Sequence, residues 1–473
     1  MRAAAATKNP AVKRITATEI YAVVFGLFLG LAIWKFGNPV ILDKVIFAPK
    51  TWAEIWDNAW PLRWANCVLL GIAALAVPLA FAKRPRWPAA RWLWILPLVW
   101  FGWQILSATQ STDSELSTVT LWQYAGCVAC YFIGALVLGI GRRSFLLIGV
   151  LAAFAFCLVR AVDQKLFEFP REKQSLMENQ RSGWTNVAPD VLLELKQESI
   201  IITTNGVDIA NPAIIAKYEK GRVNGTLVYP NALAGIVLLL FPGTLVIVWQ
   251  GTRRLRRLTC LAAMGLTIFL GLAGLFWSGS KSGWLIALAA GVCWLCRLKW
   301  SRRLKWVMVT ALVVGGLVVF AVRFQSYFAK GATSVGARFD YWRAAAEVTK
   351  EHPVFGTGPG TFQRPYASLK RPDAEMARLV HNDYLEQFSD SGIVGGVSYA
   401  AWIALVFWVI GRRIWVTGSW LEFGIFMGLL AWFVQGFIEF SLFVPALAWT
   451  AFTLSGYLLA HSGNQFDKSK AAD

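Results

Sequence analysis

Twelve apolar stretches, each close to the length that a helix needs to cross a lipid bilayer, dominate this chain of 473 residues. A bilayer core about 30 Å thick requires roughly 20 apolar helical residues for each crossing. Because 56% of the residues are hydrophobic and 15% are charged, we expect an all-α, polytopic integral membrane protein. The stretches lie at approximately residues 18–34, 61–82, 92–107, 117–139, 144–161, 231–250, 258–277, 283–297, 306–322, 392–411, 420–438 and 442–460.

The charges between these stretches predict the orientation of the chain, because short cytoplasmic loops carry an excess of Lys and Arg. Connections that are rich in cations and contain no acidic residue lie at 83–91, 141–143, 251–257, 297–305 and 411–413. The opposite turns hold Lys281 as their only cation and lie at 108–116, 278–282 and 439–441. Both termini are therefore predicted to be cytoplasmic.

Two long polar stretches are then predicted on the outer side of the membrane. We call residues 162–230 the first polar segment and residues 323–391 the second polar segment, and we treat residues 1–473 as a single membrane domain that carries both. A net charge of +19 is explained largely by membrane orientation and attraction to anionic headgroups. We therefore expect the lipid bilayer, and not nucleic acid, as a partner.

The first polar segment carries the patterns of a small folded unit. A helical pattern at 189–198 precedes a strand-like run at 199–204 and the turn signal Asn205-Gly206.

The second polar segment is predicted to be helical. One helix is predicted within 335–352, with Phe339, Trp342 and Ala346 as its apolar face, and a second is predicted to begin near Pro372. Between them, the glycine-rich stretch 356–360 lacks the spacing of a nucleotide-binding loop, and it is interpreted as a turn.

His381 lies in a polar stretch directly before an apolar run. On the second predicted helix, His381, Tyr384, Leu385 and Phe388 occupy positions i, i+3, i+4 and i+7, and hence share one face. Two interpretations stay open. Either the ring packs among aromatic side chains at the membrane interface, or the imidazole accepts a proton from a sugar or another hydroxyl.

Three cations are predicted on the same side as His381. Arg222 precedes the sixth apolar stretch, Lys281 lies between the seventh and the eighth, and Arg338 opens the first helix of the second polar segment. Each alone is typical of a membrane anchor, but together they predict an anion pocket, because such groups pair with phosphate oxygens. Glu439, in the last outer turn, is either an acceptor-binding acid or a solvated turn residue.

Four segments carry a resemblance to a known family: Arg222 with NGTLVYPN, the turn SGSKSGW, RFDYWRAAAEVTKEHPVFGTGPGTF (338–362) and HNDYLEQFSDSGIVGG (381–396). In these segments the chain resembles the superfamily of bacterial inner-membrane O-antigen ligases and O-antigen polymerases. Residues 1–160 match it only in their number of helices. The family often has SRG or SRS where this chain has Ser280-Lys281-Ser282, and lysine cannot make the bidentate contact of arginine.

The resemblance implies a glycosyltransferase that takes a glycan from an undecaprenyl diphosphate carrier on the periplasmic face of the inner membrane. The acceptor is lipid A core in the ligases, another carrier-linked glycan in the polymerases, or a protein hydroxyl in related O-oligosaccharyltransferases. Of these we favour a ligase. The resemblance requires no cofactor and no metal, since cationic side chains can neutralise the diphosphate.

The resemblance also implies a role for individual residues. His381 would be the general base, with Asn382 orienting its ring. Arg222 and Lys281, helped by Arg338, would hold the diphosphate. Candidate acceptor-binding residues are Asp383, which is also a second candidate base, Arg364 and Glu439.

Two other classes of protein stay open. A secondary transporter of similar helix number would carry ionisable groups inside broken mid-membrane helices, whereas here the polar residues gather at one face. A noncatalytic scaffold stays open if Lys281 marks a degenerate site.

Overall fold

The computed structural model describes residues 15–82, 92–138, 143–329 and 331–470, and the side chains of residues 143, 144, 416, 417 and 461–470 are not described. The helices, labelled α1 to α18 in chain order, are Ala17–Lys35, Trp52–Asp57, Leu62–Ala82, Trp92–Ala108, Ser114–Leu136, Arg143–Asp163, Phe169–Arg181, Pro189–Gln197, Pro212–Lys220, Pro230–Thr252, Arg257–Ser278, Lys281–Arg297, Arg302–Ala329, Thr333–Glu351, Gln363–Leu369, Asp383–Thr417, Trp420–Gln435 and Pro445–Lys470. Strands β1 and β2, Ile201–Thr204 and Val207–Ala210, form an antiparallel hairpin. The predicted all-α class is confirmed.

Every predicted span coincides with a helix, namely α1, α3, α4, α5, α6, α10, α11, α12, α13, α16, α17 and α18. Within the described residues, eight helices are long and apolar enough to cross a bilayer, and α4 and α17 are shorter apolar helices. The chain is therefore a multi-pass membrane protein. The count of twelve crossings and the orientation stay predictions, and the cationic connection 83–91 and residues 141 and 142 lie outside the described residues.

Close approach of helix backbones holds the membrane domain together. Helix α1 packs on α6, α5 on α18 and α10 on α17. Where α1 crosses α6, a Cβ added to Gly149 would lie 2.4 Å from the carbonyl oxygen of Gly26. Only glycine fits such a crossing, and small residues at helix interfaces are a general means of association in membranes.

The first polar segment forms a small unit with its own apolar core. The predicted helix is α8, the predicted strand is β1, and Asn205 and Gly206 take positive φ in the turn between the strands. Ile201 of β1 pairs with Ala210 of β2, and both are buried against Trp184. The secondary structure predicted for this segment is confirmed.

Helix α14 confirms the first helix predicted in the second polar segment, but of its three predicted apolar residues only Trp342 packs on buried side chains. Phe339 is 60% exposed, and Ala346 is also exposed. Helix α14 packs on α16. Its buried residues are Tyr341, Ala344, Ala345 and Val348.

The second helix predicted in this segment begins at Asp383 and not near Pro372. The residues before it are irregular, because Ala377 and Val380 are buried in a separate cluster beneath α14. Asn382 then caps the helix, and its Oδ1 accepts hydrogen bonds from the backbone N–H groups of the two residues that follow Asp383, each at 3.0 Å. Contacts across the fold thus override the local helical pattern.

The glycine-rich stretch 356–360 is a turn, as predicted, and it packs on a kink in α16. The kink lies at Ser391 and Gly392, whose φ and ψ are not helical. The backbone N–H of Gly358 donates to the Asp390 carbonyl at 2.8 Å, and that of Gly360 donates to Asp390 Oδ2 at 2.7 Å. This turn fixes the second polar segment on the membrane domain.

The orientation can be tested by labelling with a membrane-impermeant thiol reagent. In a background with Cys67→Ser and Cys296→Ser, we expect Thr204→Cys and Ser368→Cys to react in intact cells, because both sites are exposed in segments predicted to face outward. Ser301→Cys, exposed in a cation-rich connection, is the control and should react only after permeabilisation. The reverse pattern would overturn the orientation.

Candidate functional site

Glu439 lies in the turn between α17 and α18, and its side chain is 0% exposed. Oε1 accepts a hydrogen bond from Nδ2 of Asn231 at 2.7 Å and another from Nη2 of Arg338 at 2.6 Å. Burial of a carboxylate is costly unless it is paired and hydrogen-bonded, and these contacts supply both. The interpretation of Glu439 as a solvated turn residue is therefore wrong.

Asn231 connects this carboxylate to Arg222. Nη2 of Arg222 donates to Oδ1 of Asn231 at 3.0 Å, and Nε donates to the carbonyl oxygen of Ser278 at 2.8 Å. Asn231 is the second residue of α10, and Ser278 is the last residue of α11. Arg222 is thus held between two helix ends on the same side of the protein as Glu439.

Lys281 is the first residue of α12 and precedes the predicted span 283–297. Nζ lies 3.7 Å from the ring centroid of Tyr327, and no carboxylate oxygen among the described residues lies within 4 Å of it. Burial, and then the neighbouring guanidinium groups of Arg222, Arg338 and Arg323, lower the pKa of Lys281 to about 8.

Arg323, near the end of α13, is a cation that the sequence interpretation missed. It is exposed, and Cζ lies 5.0 Å from the ring centroid of Phe276. Burial lowers the pKa of Arg222, and the charges of Arg338 and Arg323 add to this effect, while Glu439 opposes it. The sequence could have revealed Arg323, because it is the first cation after the predicted span 306–322 and so lies at a membrane boundary, as Arg222 and Lys281 do.

These positive residues form one group, which we call the cationic cluster and define as Arg222, Lys281, Arg323 and Arg338. Glu439 is the one carboxylate in the described part of the chain that forms an ion pair with a member of the cluster. Several positive charges therefore surround a single negative charge, and this excess favours an anion.

His381 lies directly beside this carboxylate. Nδ1 of His381 is 3.8 Å from Oε2 of Glu439, and both atoms are buried without a hydrogen-bond partner. The ring packs edge-on against Phe440 at 4.6 Å and stacks on Tyr341 at 5.7 Å between centroids, and the side chain is 29% exposed. Packing of the His381 ring among aromatic side chains is thus compatible with a role of its nitrogen atoms in proton transfer. Nδ1 faces the acid, which leaves Nε2 for a proton transfer.

The backbone at His381 differs from the helical prediction. Its φ is +55°, a left-handed value that is uncommon for residues other than glycine, and it precedes the cap of α16. The predicted face shared with Tyr384, Leu385 and Phe388 is wrong for this reason. Asn382 uses Oδ1 to cap the helix, so it positions the backbone after His381.

Asp383 is 2% exposed and joins α16 to the turn that carries Glu439. Its carboxylate oxygens accept hydrogen bonds from the backbone N–H of Leu442 at 3.2 and 3.3 Å, and its own N–H donates to the Gly436 carbonyl at 2.7 Å. Asp383 therefore holds the Glu439 turn in place beneath His381.

Arg364 lies apart from the cationic cluster. Its side chain is 60% exposed, and Nε donates to Oδ2 of Asp113 at 2.9 Å, at the start of α5. Of the predicted site residues, the structure brings together Arg222, Lys281, Arg338, His381 and Glu439. It adds Asn231, which lay within the segment that carried the resemblance.

Comparison with known proteins bears on the same region. The family model described as O-antigen ligase matches residues 266–400. A curated relative, an uncharacterized protein of Haemophilus influenzae, is 26% identical over 145 residues, which cover 26% of this chain and 36% of that protein. The match thus spans little more than a third of that relative's length.

The family match contains Lys281, Arg338 and His381, whereas Arg222 and Glu439 lie outside it and join the same site through the fold. The family description supports an O-antigen ligase or polymerase type of enzyme in general terms. The resemblance predicted from the sequence is confirmed: residues 266–400 of this membrane protein match the family model described as O-antigen ligase, which supports the O-antigen ligase superfamily.

Proposed function

We propose that the protein is a glycosyltransferase of the bacterial inner membrane that moves a glycan from undecaprenyl diphosphate to an acceptor on the periplasmic face. The acceptor proposed first is lipid A core, which makes the protein a ligase. The observation that carries the proposal is the contact of His381 with buried Glu439 inside a cluster of cations that has little negative charge of its own. A base beside an anion site is what transfer from a diphosphate carrier requires.

The reaction needs one proton acceptor. The acceptor hydroxyl oxygen forms a bond to the anomeric carbon of the glycan, while the bond from that carbon to the diphosphate oxygen breaks. The hydroxyl proton passes to Nε2 of His381, and the electron pair of the broken bond leaves with the diphosphate. Glu439, near Nδ1, stabilises the positive imidazolium that forms.

Glu439 acts through His381 and is proposed as a positioning residue. Closing the gap between Nδ1 and Oε2 from 3.8 Å by roughly 0.6 Å would bring the two atoms within hydrogen-bond distance. Oε1 is already held by Arg338 and Asn231, so Oε2 is the oxygen that is free for the imidazole.

The cationic cluster is proposed to bind the diphosphate. Arg222 and Arg338 are each tied to the Glu439 network, which pre-orients their guanidinium groups before substrate binds. Lys281 adds a compact charge that has no carboxylate partner within 4 Å among the described residues. Together they stabilise the negative charge that the diphosphate gains as it leaves.

The proposed function is tested with the purified full chain in proteoliposomes, supplied with a short glycan on undecaprenyl diphosphate and with lipid A core. Transfer to the lipid supports the ligase. Elongation of the carrier-linked glycan without transfer to the lipid makes the protein a polymerase instead. If thermal unfolding shows that the protein is folded, absence of both reactions contradicts the ligase and the polymerase.

In that assay, we expect His381→Ala to lower the turnover number by about 10²–10⁴-fold, because it removes the proposed general base. His352→Ala is the matched control, since His352 is exposed at the end of α14 and should leave turnover unchanged. Both variants should remain folded in thermal unfolding, with His381→Ala the less stable of the two because its ring packs on Phe440 and Tyr341. Retained turnover in folded His381→Ala would rule out the base.

Glu439→Gln is expected to lower kcat about 10–100-fold with little change in KM, because the amide cannot stabilise an imidazolium as a carboxylate does. Glu439→Asp, which keeps the charge, should recover part of kcat. A purely structural role predicts that kcat falls only in proportion to the unfolded fraction, so each variant is assayed at a temperature at which thermal unfolding shows it to be folded. Equal kcat in Glu439→Gln and the wild type would remove the residue from the mechanism.

The pKa of Lys281, lowered to about 8, predicts a pH dependence of substrate binding. The ammonium is fully charged well below pH 8 and loses its charge as the pH rises through that value, so KM for the carrier should rise by roughly tenfold between pH 7 and pH 9. Lys281→Arg should keep its charge and abolish the rise, and Lys281→Ala should show the higher KM throughout. A KM in Lys281→Ala equal to that of the wild type at pH 7 would contradict this role.

A further inference from the structure

A second feature of interest lies at the opposite end of the helices from the candidate site. A crevice of about 440 Å³ opens between α6, α10 and the start of α17. This volume is within the range of roughly 300–1,000 Å³ found for small-molecule sites. Its lining is mostly apolar and includes Leu147, Leu151, Ile247, Gln250, Ser419 and Leu421.

The position of the crevice follows from the length of α10. Asn231 of the candidate site lies at the start of this helix and Gln250 of the crevice lies near its end, 19 residues later. At about 1.5 Å per residue the two are roughly 28 Å apart, close to the thickness of a bilayer core. The crevice therefore lies near the other membrane surface.

Positive charge gathers beside the crevice. Arg253 follows Gln250 by three residues and keeps helical φ and ψ, so it lies on the same face of α10 as Gln250, and Arg254 lies in the turn that follows directly. They are exposed, as are Arg256 and Arg257 at the start of α11. No carboxylate in the described part of the chain lies within 4 Å of these guanidinium groups.

Polar groups at the mouth of the crevice complete the surroundings. Gln250 brings an exposed amide to the lining, and Ser419 caps α17. Glu422, in the first turn of α17, is the acidic group nearest in sequence to this lining. It is 4% exposed and lies 3.7 Å from Nη2 of Arg413, so its charge is compensated. The field at the mouth is therefore positive.

We propose that this crevice is a binding site for an anionic glycerophospholipid, with an acyl chain between α6, α10 and α17 and the phosphate at Arg253 and Arg254. An apolar crevice beside a cationic rim matches the two halves of such a lipid, and basic pockets between membrane helices bind acidic headgroups. The acyl chain of a zwitterionic lipid fits the crevice equally well, but its headgroup has a weaker electrostatic attraction to the arginines. This site is separate from the candidate site and does not rest on the proposed function.

Native mass spectrometry of the full chain in detergent tests the proposal, with phosphatidylglycerol or phosphatidylcholine of identical acyl chains as the probe. We expect one phosphatidylglycerol to bind tightly and phosphatidylcholine to bind at least about tenfold more weakly. In Arg253→Gln/Arg254→Gln, the affinity for phosphatidylglycerol should fall roughly 25-fold, since each arginine near a headgroup contributes about fivefold. Both side chains are exposed, so this variant should fold normally.

Two further variants separate the crevice from general surface charge. Arg302→Gln/Arg303→Gln removes two exposed arginines from a different cation-rich connection and should change the affinity less than twofold. Leu151→Trp fills the crevice and should lower occupancy with the arginines in place. Equal loss in the control pair, equal binding of the two lipids, or unchanged binding in Leu151→Trp would each overturn the proposal.

Discussion

The buried negative charge of Glu439 is the constraint on which the candidate site depends. A carboxylate with 0% exposure must be compensated from within the protein, and removal of one partner from a buried ion pair costs about 3–5 kcal/mol. Its partners come from distant parts of the chain, since Arg338 lies in the second turn of α14 and Asn231 is the second residue of α10. The same charge therefore orders the site and draws the second polar segment onto the membrane domain.

The region around His381 is held from two sides. Asp383 ties the start of α16 to the turn that carries Glu439, and Asp390, about two helical turns further on, accepts a hydrogen bond from the Gly360 backbone in the glycine-rich turn. These contacts fix the irregular backbone before α16. His381 can therefore keep its positive φ, because the surrounding structure offsets the energetic cost of that conformation. A proton acceptor whose position is fixed by its surroundings before substrate arrives needs little rearrangement during the reaction.

The site is assembled from both inside and outside the region that resembles O-antigen ligases. Residues 266–400 contribute His381 and three cations of the cluster, while Arg222 and Glu439 come from the chain on either side. At the other end of α10, a crevice beside four arginines gives the protein a second polar surface of the same charge sign. On the two proposals, the ends of α10 bind different anions, a carrier diphosphate at one end and a bilayer lipid at the other.

The sequence by itself determined the helical membrane class, the helix within 335–352, the hairpin turn at Asn205-Gly206 and the identity of most cations, because apolar length, turn chemistry and boundary charge are local properties. Only the tertiary structure decided the burial of Glu439 and its contact with His381. Those contacts join residues that lie 58 to 208 positions apart in the chain. The start of α16 was also decided by the fold, because Asn382 caps the helix there although the residues before it have a helical sequence pattern. No local pattern reports a buried charge or its partners, since both arise only once the helices have packed.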